Sequence, residues 1–507
     1  MKRDPLSTGH LLGDLGRRTT SSALVTTVAQ GIKFATNVAS TLVLARLLDP
    51  QDFGLVAMVT AVTGFLEVLK DAGLSTATVQ RQDITQAQVS NLFWANLALG
   101  LVITAAVAAA APAFAWFYNE PRLVGVTLAI SVTFFLTAST VQHQAIMRRQ
   151  MRFTAISVIQ VVPALIGLAV AVYMANSGWG YWSLVGTALS TAAANCVITW
   201  LMTDWRPSLP VRGAGTVGLL RFGASLTGAA IVQAVIGTAD TLLIGRFYGA
   251  AAVGLYSRGA ALLLNPLQQF LSPFNAVLVP ALSRMQHDPE RYRRAFLQIQ
   301  NTIGMLALPI AGFLLGSAHP LILVLLGEKW SAATPIFSAF SIAAIYLPLA
   351  GATTWLFTSQ GRGRETLSTS VITASISLLS ILAGLPFGPA GVALCYSLTG
   401  LLLRMPILFY YAGRHGAVRS RDLWLCLLTN LPLGLIVLVV AYGVPQLMPL
   451  QSPVIQLAVT VPCCAACVGL FVLASPPHRR IAAEAISRLR ASVARRQGRN
   501  AAAESAS

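Results

Sequence analysis

The sequence contains few charged residues. Only 10% of its 507 residues are Asp, Glu, Lys or Arg, against roughly a quarter in an average soluble domain. Such a small charged fraction could not cover the surface of a soluble multi-domain enzyme. Acidic residues are the scarcest, with 17 Asp and Glu against 35 Lys and Arg, a formal net charge of +18. Hydrophobic residues make up 55% of the chain, which excludes intrinsic disorder.

Motifs for catalysis and metal binding are also missing. The chain has no G-x-x-x-x-G-K-[ST] phosphate loop, no G-x-S-x-G nucleophile elbow and no H-E-x-x-H zinc motif. The sequence therefore predicts neither an ATPase motor nor a hydrolase of the kinds that use the last two motifs. All six cysteines lie in apolar stretches, and Cys464 and Cys467 form a C-x-x-C with no His, Asp or Glu beside it. We favour packing over a metal or redox site for them. We expect no enzyme activity, no cofactor and no metal.

Long apolar stretches fill the rest of the chain. Each is long enough to cross a hydrocarbon core of ~30 Å as a helix, and none has the short alternating pattern of a membrane barrel strand. The segment before Arg18 has no apolar core, so we expect no cleavable signal peptide. We predict an all-α polytopic membrane protein with about 14 transmembrane helices, at 22–45, 53–73, 90–115, 123–142, 153–175, 180–203, 220–245, 253–280, 296–317, 334–358, 367–386, 389–412, 422–444 and 453–475.

The basic residues follow this topology. With the N-terminus in the cytoplasm, 28 of the 35 Lys and Arg lie in inside segments or adjoining helix ends and only four in outside loops. This bias is what positive-inside sorting produces. Adding or removing one span would invert every later loop, so the pattern predicts an even number of spans and two cytoplasmic termini. Because orientation accounts for the basic excess, we expect no nucleic-acid partner. The three remaining cations, Lys33, Arg258 and Arg404, lie within spans.

An internal repeat divides the chain. TLVLARLLDPQDFGL at 41–55 and TLLIGRFYGAAAVGL at 241–255 match at an offset of 200, including Gly54 with Gly254. Each stretch joins an outward-going span to the returning one, so the repeat predicts two six-helix lobes in the same orientation plus two extra helices. The predicted segments are a cytoplasmic N-terminus at 1–21, an N-lobe at 22–203, a linker at 204–219, a C-lobe at 220–412, spans 13 and 14 at 422–475, and a basic cytoplasmic tail at 476–507.

Polar residues within spans are the candidate functional residues, because they are costly in lipid and usually face a partner or a wet cavity. Gln30, Lys33 and Asn37 share one helical stripe of the first span. We predict that they face a substrate cavity, with Lys33 as a substrate-facing cation. The alternative is a structural ion pair between Lys33 and Glu67 in the second span, and Glu67 is also a candidate for gating or ion coupling.

A second group lies in the seventh and eighth spans. Asp240 and Arg258 each lie nine residues from Gly249, so in a helical hairpin their side chains reach similar depth. They could form a salt bridge that locks the helices, or a gate or ion-coupling site whose pairing changes during transport. Gln233 in the seventh span and Gln268, close to two prolines of the eighth span, are further cavity candidates.

The third group lies at the predicted inner surface. His143 precedes Arg148 and Arg149 at the end of the fourth span. A contact with lipid phosphate would suit these three residues. Packing of the histidine, with topology alone explaining the arginines, is the alternative.

Several segments resemble one family. They include LARLLDPQDFGLVAM at 44–58, the stretch 71–100, HQAIMRRQMRF at 143–153, the stretch 239–296, and LLGEKWSAATPIF at 325–337. Together and in order they resemble the Wzx-type polysaccharide flippases of the MATE-like (MOP) superfamily, close to the branch that contains the colanic-acid exporter.

The resemblance implies two six-helix lobes around a central cavity. It also implies a transporter that flips a polyprenyl-pyrophosphate-linked oligosaccharide across the bacterial inner membrane by alternating access, for exopolysaccharide or lipopolysaccharide biosynthesis. Cations such as Lys33 and Arg258 would then meet the pyrophosphate. Some relatives use acidic residues of spans seven, eleven and twelve to bind sodium, but only Asp240 fits that pattern here.

The remaining partners and alternatives follow from the same resemblance. The partners would be the lipid bilayer, the lipid-linked substrate and polysaccharide polymerase machinery. One alternative is a multidrug or small-cation exporter of the same superfamily, which would need an acidic cation site. Another is a membrane glycosyltransferase or polymerase, which would need catalytic carboxylates in its loops.

Overall fold

The computed structural model describes residues 15–71, 73–81, 83–213, 237–447, 452–481 and 483. Nearly all of this part of the chain is helical, and none of it forms a β-strand. The all-α fold expected from the hydropathy is therefore confirmed. Every predicted span coincides with a helix except 220–245, most of which lies outside the described residues.

Eight helices precede the first long gap in the described chain. Their bounds are α1 Leu15–Leu47, α2 Pro50–Asp71, α3 Leu74–Gln80, α4 Gln86–Tyr118, α5 Leu123–Ala138, α6 Val141–Arg149, α7 Phe153–Asn176 and α8 Trp182–Met202. The following helices are α9 Ala239–Arg284, α10 Pro289–Gly316, α11 Ala318–Leu325, α12 Thr334–Ser359, α13 Gly363–Gly384, α14 Gly388–Thr399, α15 Met405–Arg414, α16 Ser420–Leu447 and α17 Pro453–Ala474. A five-residue π-helical turn, Gly400–Arg404, joins α14 to α15.

Ten helical stretches of the described chain are long and apolar enough to cross a membrane. One of them, Gly363–Arg414, contains two of the predicted spans. Helices α1 and α2 cover the first two predicted spans but are not among the ten, and α1 carries the polar stripe around Lys33. The total of 14 spans therefore stays a prediction.

The chain divides into two compact units, Met1–Ser257 and Arg258–Ser507. In the first unit α1 packs on α7, α7 on α8, and α5 on α2, α4 and α8. A buried core there joins Leu74, Phe93, Ile146 and Trp205. The predicted lobe boundary at 204–219 stays a prediction.

In the second unit α10 lies at the centre of the packing. It contacts α12 and α16, while α14 contacts α12 and α13, and α17 packs on α16. The core of this unit is rich in aromatic residues, with Phe296, Trp355 and Phe409 all buried. Leucine and valine on the outer faces, such as Leu379 and Val439, are more than half exposed. Apolar exposure of this kind suits helices whose outer faces meet lipid.

The repeated segments meet each other within the first unit. A Cβ atom added to Gly54 would lie 1.7 Å from the Ala250 carbonyl oxygen, and one added to Gly254 would lie 1.8 Å from the Pro50 carbonyl oxygen. Pro50 and Ala250 are related by the same offset of 200 as the two glycines, so the contact is reciprocal. Gly249, with φ 78°, breaks α9 just before this crossing. Small residues allow membrane helices to approach this closely.

Candidate functional site

The first unit contains a polar cavity between helices α2, α3, α5, α6 and α8. Its volume is about 610 Å³, within the ~300–1,000 Å³ typical of small-molecule sites. Nine of the twelve described lining residues have hydroxyl, amide or charged side chains, although the helices themselves are apolar. The lining residues are Glu67, Ser75, Thr133, Thr137, Thr140, Val141, Gln144, Arg148, Ala188, Thr191, Ala192 and Asn195.

One wall is a stripe of threonines on α5 and the turn that follows. Thr133, Thr137 and Thr140 are spaced by four and three residues, which places them on one helical face. Their hydroxyls donate to backbone carbonyls of the preceding turn, Thr137 to Thr133 at 2.7 Å and Thr140 to Thr137 at 2.7 Å. This bonding satisfies each hydroxyl hydrogen inside the membrane. A hydroxyl oxygen of this wall can also accept a hydrogen bond, as Thr140 Oγ1 does from Gln144 Nε2 at 3.4 Å.

Another wall is a stripe of small and polar residues on α8. Ala188, Thr191, Ala192 and Asn195 follow the spacing of one helical face. The two alanines leave space in the cavity that larger side chains would fill. Behind this wall α7 approaches closely at Gly167, where an added Cβ would lie 2.1 Å from the Thr191 hydroxyl oxygen.

Two amide side chains join the walls. Gln144 Nε2 donates to Asn195 Oδ1 at 3.1 Å, and Asn195 Nδ2 donates to the Ile159 carbonyl oxygen at 3.2 Å. This chain of hydrogen bonds fixes both amides and links α6 to α8 and α7. The shape of the cavity is therefore set by polar contacts as well as by packing.

Among the described residues, the cavity lining includes one side chain of each charge. Glu67 on α2 and Arg148 on α6 both line it and both are exposed. Within the described part of the chain, the Arg148 side chain forms no hydrogen bond or ion pair, so its guanidinium is available to an anionic ligand. The structure thus brings together two residues to which the sequence assigned separate roles, ion coupling and lipid contact.

A buried polar network lies beside the cavity. Gln142 on α6 accepts a hydrogen bond from the Thr78 hydroxyl at 2.7 Å and donates to Asn96 Oδ1 at 2.8 Å. Arg149 donates to the backbone carbonyls of Thr78 and Arg81 at the end of α3. Arg149 is 9% exposed, so this geometry favours a structural role for it over contact with lipid phosphate.

His143 lies inside an aromatic cluster. Its ring centroid is 4.4 Å from that of Trp200, 5.0 Å from Trp205 and 5.7 Å from Phe93, and its side chain is fully buried. A histidine enclosed in this way cannot reach a lipid headgroup at the surface. The packing alternative therefore describes His143 better than the lipid contact predicted for it.

The other predicted site residues in the described part of the chain are not among those that line this cavity. On α1, Gln30 and Asn37 are exposed and Lys33 is half-buried, and none of the three lines the cavity. In the second unit Arg258 is half-buried and Gln268 is exposed. Their roles at a substrate cavity stay predictions, and Gln233 lies outside the described residues.

Asp240 belongs to a local hydrogen-bond cluster. Its Oδ2 accepts from the Tyr256 hydroxyl at 2.8 Å, and its Oδ1 accepts from the Thr241 backbone N–H at 2.6 Å. The contact with Tyr256 joins the two helical stretches on either side of Gly249, whereas the contact with Thr241 lies within the first stretch. The predicted Asp240–Arg258 pair spans the division between the two units and stays a prediction.

The sequence prediction missed most of the cavity lining. The threonines of α5 and the Ala–Thr–Ala–Asn face of α8 were not candidates, although each follows the spacing of a helical face. That spacing is the signal that could have identified them. Charge alone led to Glu67 and Arg148, because charged residues stand out in an apolar sequence whereas threonine does not.

Comparison with known proteins identifies the relatives of this chain. The family described as "Polysaccharide biosynthesis protein" matches residues 43–335, more than half of the sequence. The chain is 26% identical over 337 residues to the lipopolysaccharide biosynthesis protein WzxC of Escherichia coli (strain K12), covering 65% of this chain and 68% of WzxC. It is 28% identical over 322 residues to the succinoglycan biosynthesis transport protein ExoT of Rhizobium meliloti (strain 1021), covering 64% of each.

A solved structure shares the fold. The lipid II flippase MurJ in an inward closed conformation aligns with a TM-score of 0.68, covering 89% of this chain and 99% of MurJ. The sequence identity is 11%, so this likeness concerns the fold. It agrees with the all-helical architecture and with the multi-pass membrane protein indicated by the apolar helices.

Proposed function

The chain belongs to the family of polysaccharide biosynthesis proteins, and from that premise we propose that it is a flippase for a lipid-linked oligosaccharide. Its substrate would be a saccharide unit joined through pyrophosphate to a polyprenyl chain. The protein would carry the polar head group across the membrane while the polyprenyl chain stays in lipid. The names of its relatives point to polysaccharide biosynthesis and transport, which is why we propose a transporter and not an enzyme.

The observation that carries this proposal is the polar cavity among apolar helices. Sugar hydroxyls are hydrogen-bond donors, and the threonine and amide oxygens of the cavity are matching acceptors. A phosphate or an acidic sugar would be attracted to Arg148, because a guanidinium binds such anions with charge-assisted hydrogen bonds. A site for an apolar drug would instead be lined mainly by apolar and aromatic side chains.

The direction of transport follows from the predicted topology. With both termini in the cytoplasm, Glu67, Thr140 and Arg148 lie toward the inner ends of their helices. The head group would therefore enter the cavity from the cytoplasmic side of the bacterial inner membrane. Alternating access of two six-helix lobes would then release it on the outer side, where a polysaccharide polymerase is the class of partner that could use it.

Further residues complete the proposed path. Lys33 with Gln30 and Asn37 on α1, and Arg258 with Gln268 on α9, would meet the head group at other stages. Asp240 remains a candidate for gating, since it already joins the two stretches of α9 on either side of Gly249.

Deletion of the gene, followed by analysis of lipid-linked sugars, tests this function. We expect an isoprenoid-linked oligosaccharide to accumulate with its sugar facing the cytoplasm, and surface polysaccharide to be lost. The wild-type gene should restore export. The variant Arg148→Gln should restore it poorly, whereas Arg152→Gln, four residues away and not part of the cavity lining, should restore it fully. Normal polysaccharide export in the deletion strain, with no accumulated lipid-linked sugar, would contradict the proposal.

A further inference from the structure

The second unit contains a buried cation of its own. Arg404, the last residue of the π-helical turn, is 9% exposed. It lies within a stretch long and apolar enough to span the membrane. A charge in such a place normally has a counter-ion. The sequence has no acidic residue at 329–364 or at 366–421. These two ranges contain α12, α14, α15 and all of α13 except Glu365, so these helical segments supply no counter-ion.

Neutral oxygen atoms surround the guanidinium instead. Nη1 donates to the Ser377 hydroxyl at 2.8 Å, and Nη2 donates to the Tyr346 hydroxyl at 2.7 Å and to the Tyr396 carbonyl oxygen at 2.5 Å. These oxygens come from three helices, α12, α13 and α14. In the described residues no carboxylate contacts Arg404.

Two aromatic faces complete the enclosure. The guanidinium carbon lies 4.0 Å from the ring centroid of Tyr396 and 5.7 Å from that of Tyr346. The face of an aromatic ring attracts a cation because of its negative quadrupole. Oxygen acceptors and ring faces with no carboxylate form an environment that suits a monovalent cation.

The backbone is shaped to build this enclosure. Arg404 lies eight residues after Tyr396, a separation that in a regular α-helix turns the two side chains about 80° apart. The π-helical turn contains one extra residue. Arg404 therefore takes the direction that the seventh residue after Tyr396 would have in a regular α-helix, about 20° from the direction of Tyr396. Gly400 provides the remaining space, because a Cβ there would lie 1.9 Å from the Tyr346 hydroxyl oxygen.

We propose that these groups form a cation site of the second unit, and that the chain fills it with its own guanidinium. The ligand class of the site is a planar monovalent cation that donates hydrogen bonds in its plane and stacks on tyrosine. Arg404 joins α12, α13 and α14 in the way that a bound ion would. This site therefore holds its cation at all times and takes none from solution.

Chemical rescue tests the proposal on the full-length protein in detergent. Arg404→Ala should lower the midpoint of thermal unfolding by several degrees. Millimolar guanidinium chloride should raise that midpoint along a saturating one-site curve, because the vacated site accepts free guanidinium. Urea, which is similar in shape but neutral, and sodium chloride at the same concentration should not restore it. The wild type should show no rise with guanidinium.

A second pair of variants keeps the test decisive if Arg404→Ala does not fold. Tyr346→Phe keeps the ring and removes one oxygen ligand, so it should lower the midpoint, whereas Tyr410→Phe on the exposed face of α15 should not. An unchanged midpoint in Tyr346→Phe, or equal responses of Arg404→Ala to guanidinium, urea and sodium chloride, would overturn the proposal. The readout needs no substrate, so it is independent of the proposed transport function.

Discussion

The reciprocal crossing of Gly54 and Gly254 gives the most quantitative prediction. In Gly54→Ala the new Cβ would lie 1.7 Å from the Ala250 carbonyl oxygen, whereas real Cβ atoms are essentially never closer than 3.0 Å to such an atom. The two backbones must therefore separate by about 1.3 Å or more at this point. Because backbone atoms cannot rotate away as a side chain can, we expect a cost of at least about 1–3 kcal/mol.

The same separation relieves the reciprocal contact. Gly254→Ala places its Cβ 1.8 Å from the Pro50 carbonyl oxygen, so it needs almost the same movement of the same two helices. Once one alanine has moved the helices apart, the second adds little. The double variant should thus be more stable than the sum of the single effects predicts, with a coupling of roughly 0.5–3 kcal/mol.

Thermal unfolding of the purified protein in detergent measures these effects. Gly64→Ala is the matched control, because Gly64 lies on the same helix α2 and an added Cβ there meets nothing within 4 Å. Alanine is favoured over glycine in a helix by about 1 kcal/mol, so this control should keep or raise the unfolding midpoint. If Gly54→Ala and Gly64→Ala unfold at the same midpoint, the crossing is wrong. Strictly additive single effects would refute its reciprocity.

Three further predictions concern individual side chains. In vesicles that contain the purified protein, Arg148→Gln should slow transport of a pyrophosphate-linked oligosaccharide by roughly tenfold or more, because a hydrogen bond to a charged group contributes about 1.5–3 kcal/mol. The control Arg152→Gln should not slow it. Equal transport rates for the two variants would show that Arg148 does not contact the substrate. His143→Ala should lower stability by about 2–4 kcal/mol because it leaves a hole in an aromatic cluster, whereas the exposed His287→Ala should have no effect on the midpoint. Asp422→Asn should destabilise the second unit, because it weakens the bidentate hydrogen bonds that this buried carboxylate accepts from Arg293 on α10. An unchanged unfolding midpoint would show that the pair contributes nothing to stability.

Hydropathy predicted the helices well because the bilayer permits few backbone conformations. A backbone in lipid must satisfy its own hydrogen bonds, so a long apolar stretch becomes a helix. The number of spans was harder to test. Helix α1 carries Gln30, Lys33 and Asn37, and these polar residues weaken the apolar signal. The segment 389–412 is interrupted by a π-helical turn, which no hydropathy pattern indicates.

The repeat shows what sequence similarity reveals and what it does not. It identified Gly54 and Gly254 as equivalent positions. Equivalence alone does not say that the two glycines face each other's helix. That contact depends on how the repeated hairpins pack, which follows from many weak interactions spread over both segments.

The candidate site was predicted only in part. Glu67 and Arg148 were named, because charges are conspicuous in an apolar chain. Thr133 and Asn195 were not, since threonine and asparagine in a membrane helix can bond to nearby backbone without any function. The burial of His143 depends on Trp200, which lies far away in the sequence, and local patterns do not reveal such contacts.

Transport by the purified protein in lipid vesicles tests the proposed flippase activity most directly. A polyprenyl-pyrophosphate-linked oligosaccharide with a fluorescent sugar would be incorporated into both leaflets, and an impermeant reagent would quench the outer label. We expect the quenched fraction to rise from about half toward completion with the wild type, and to rise slowly with Arg148→Gln. A quenched fraction that stays at the level of protein-free vesicles would contradict it.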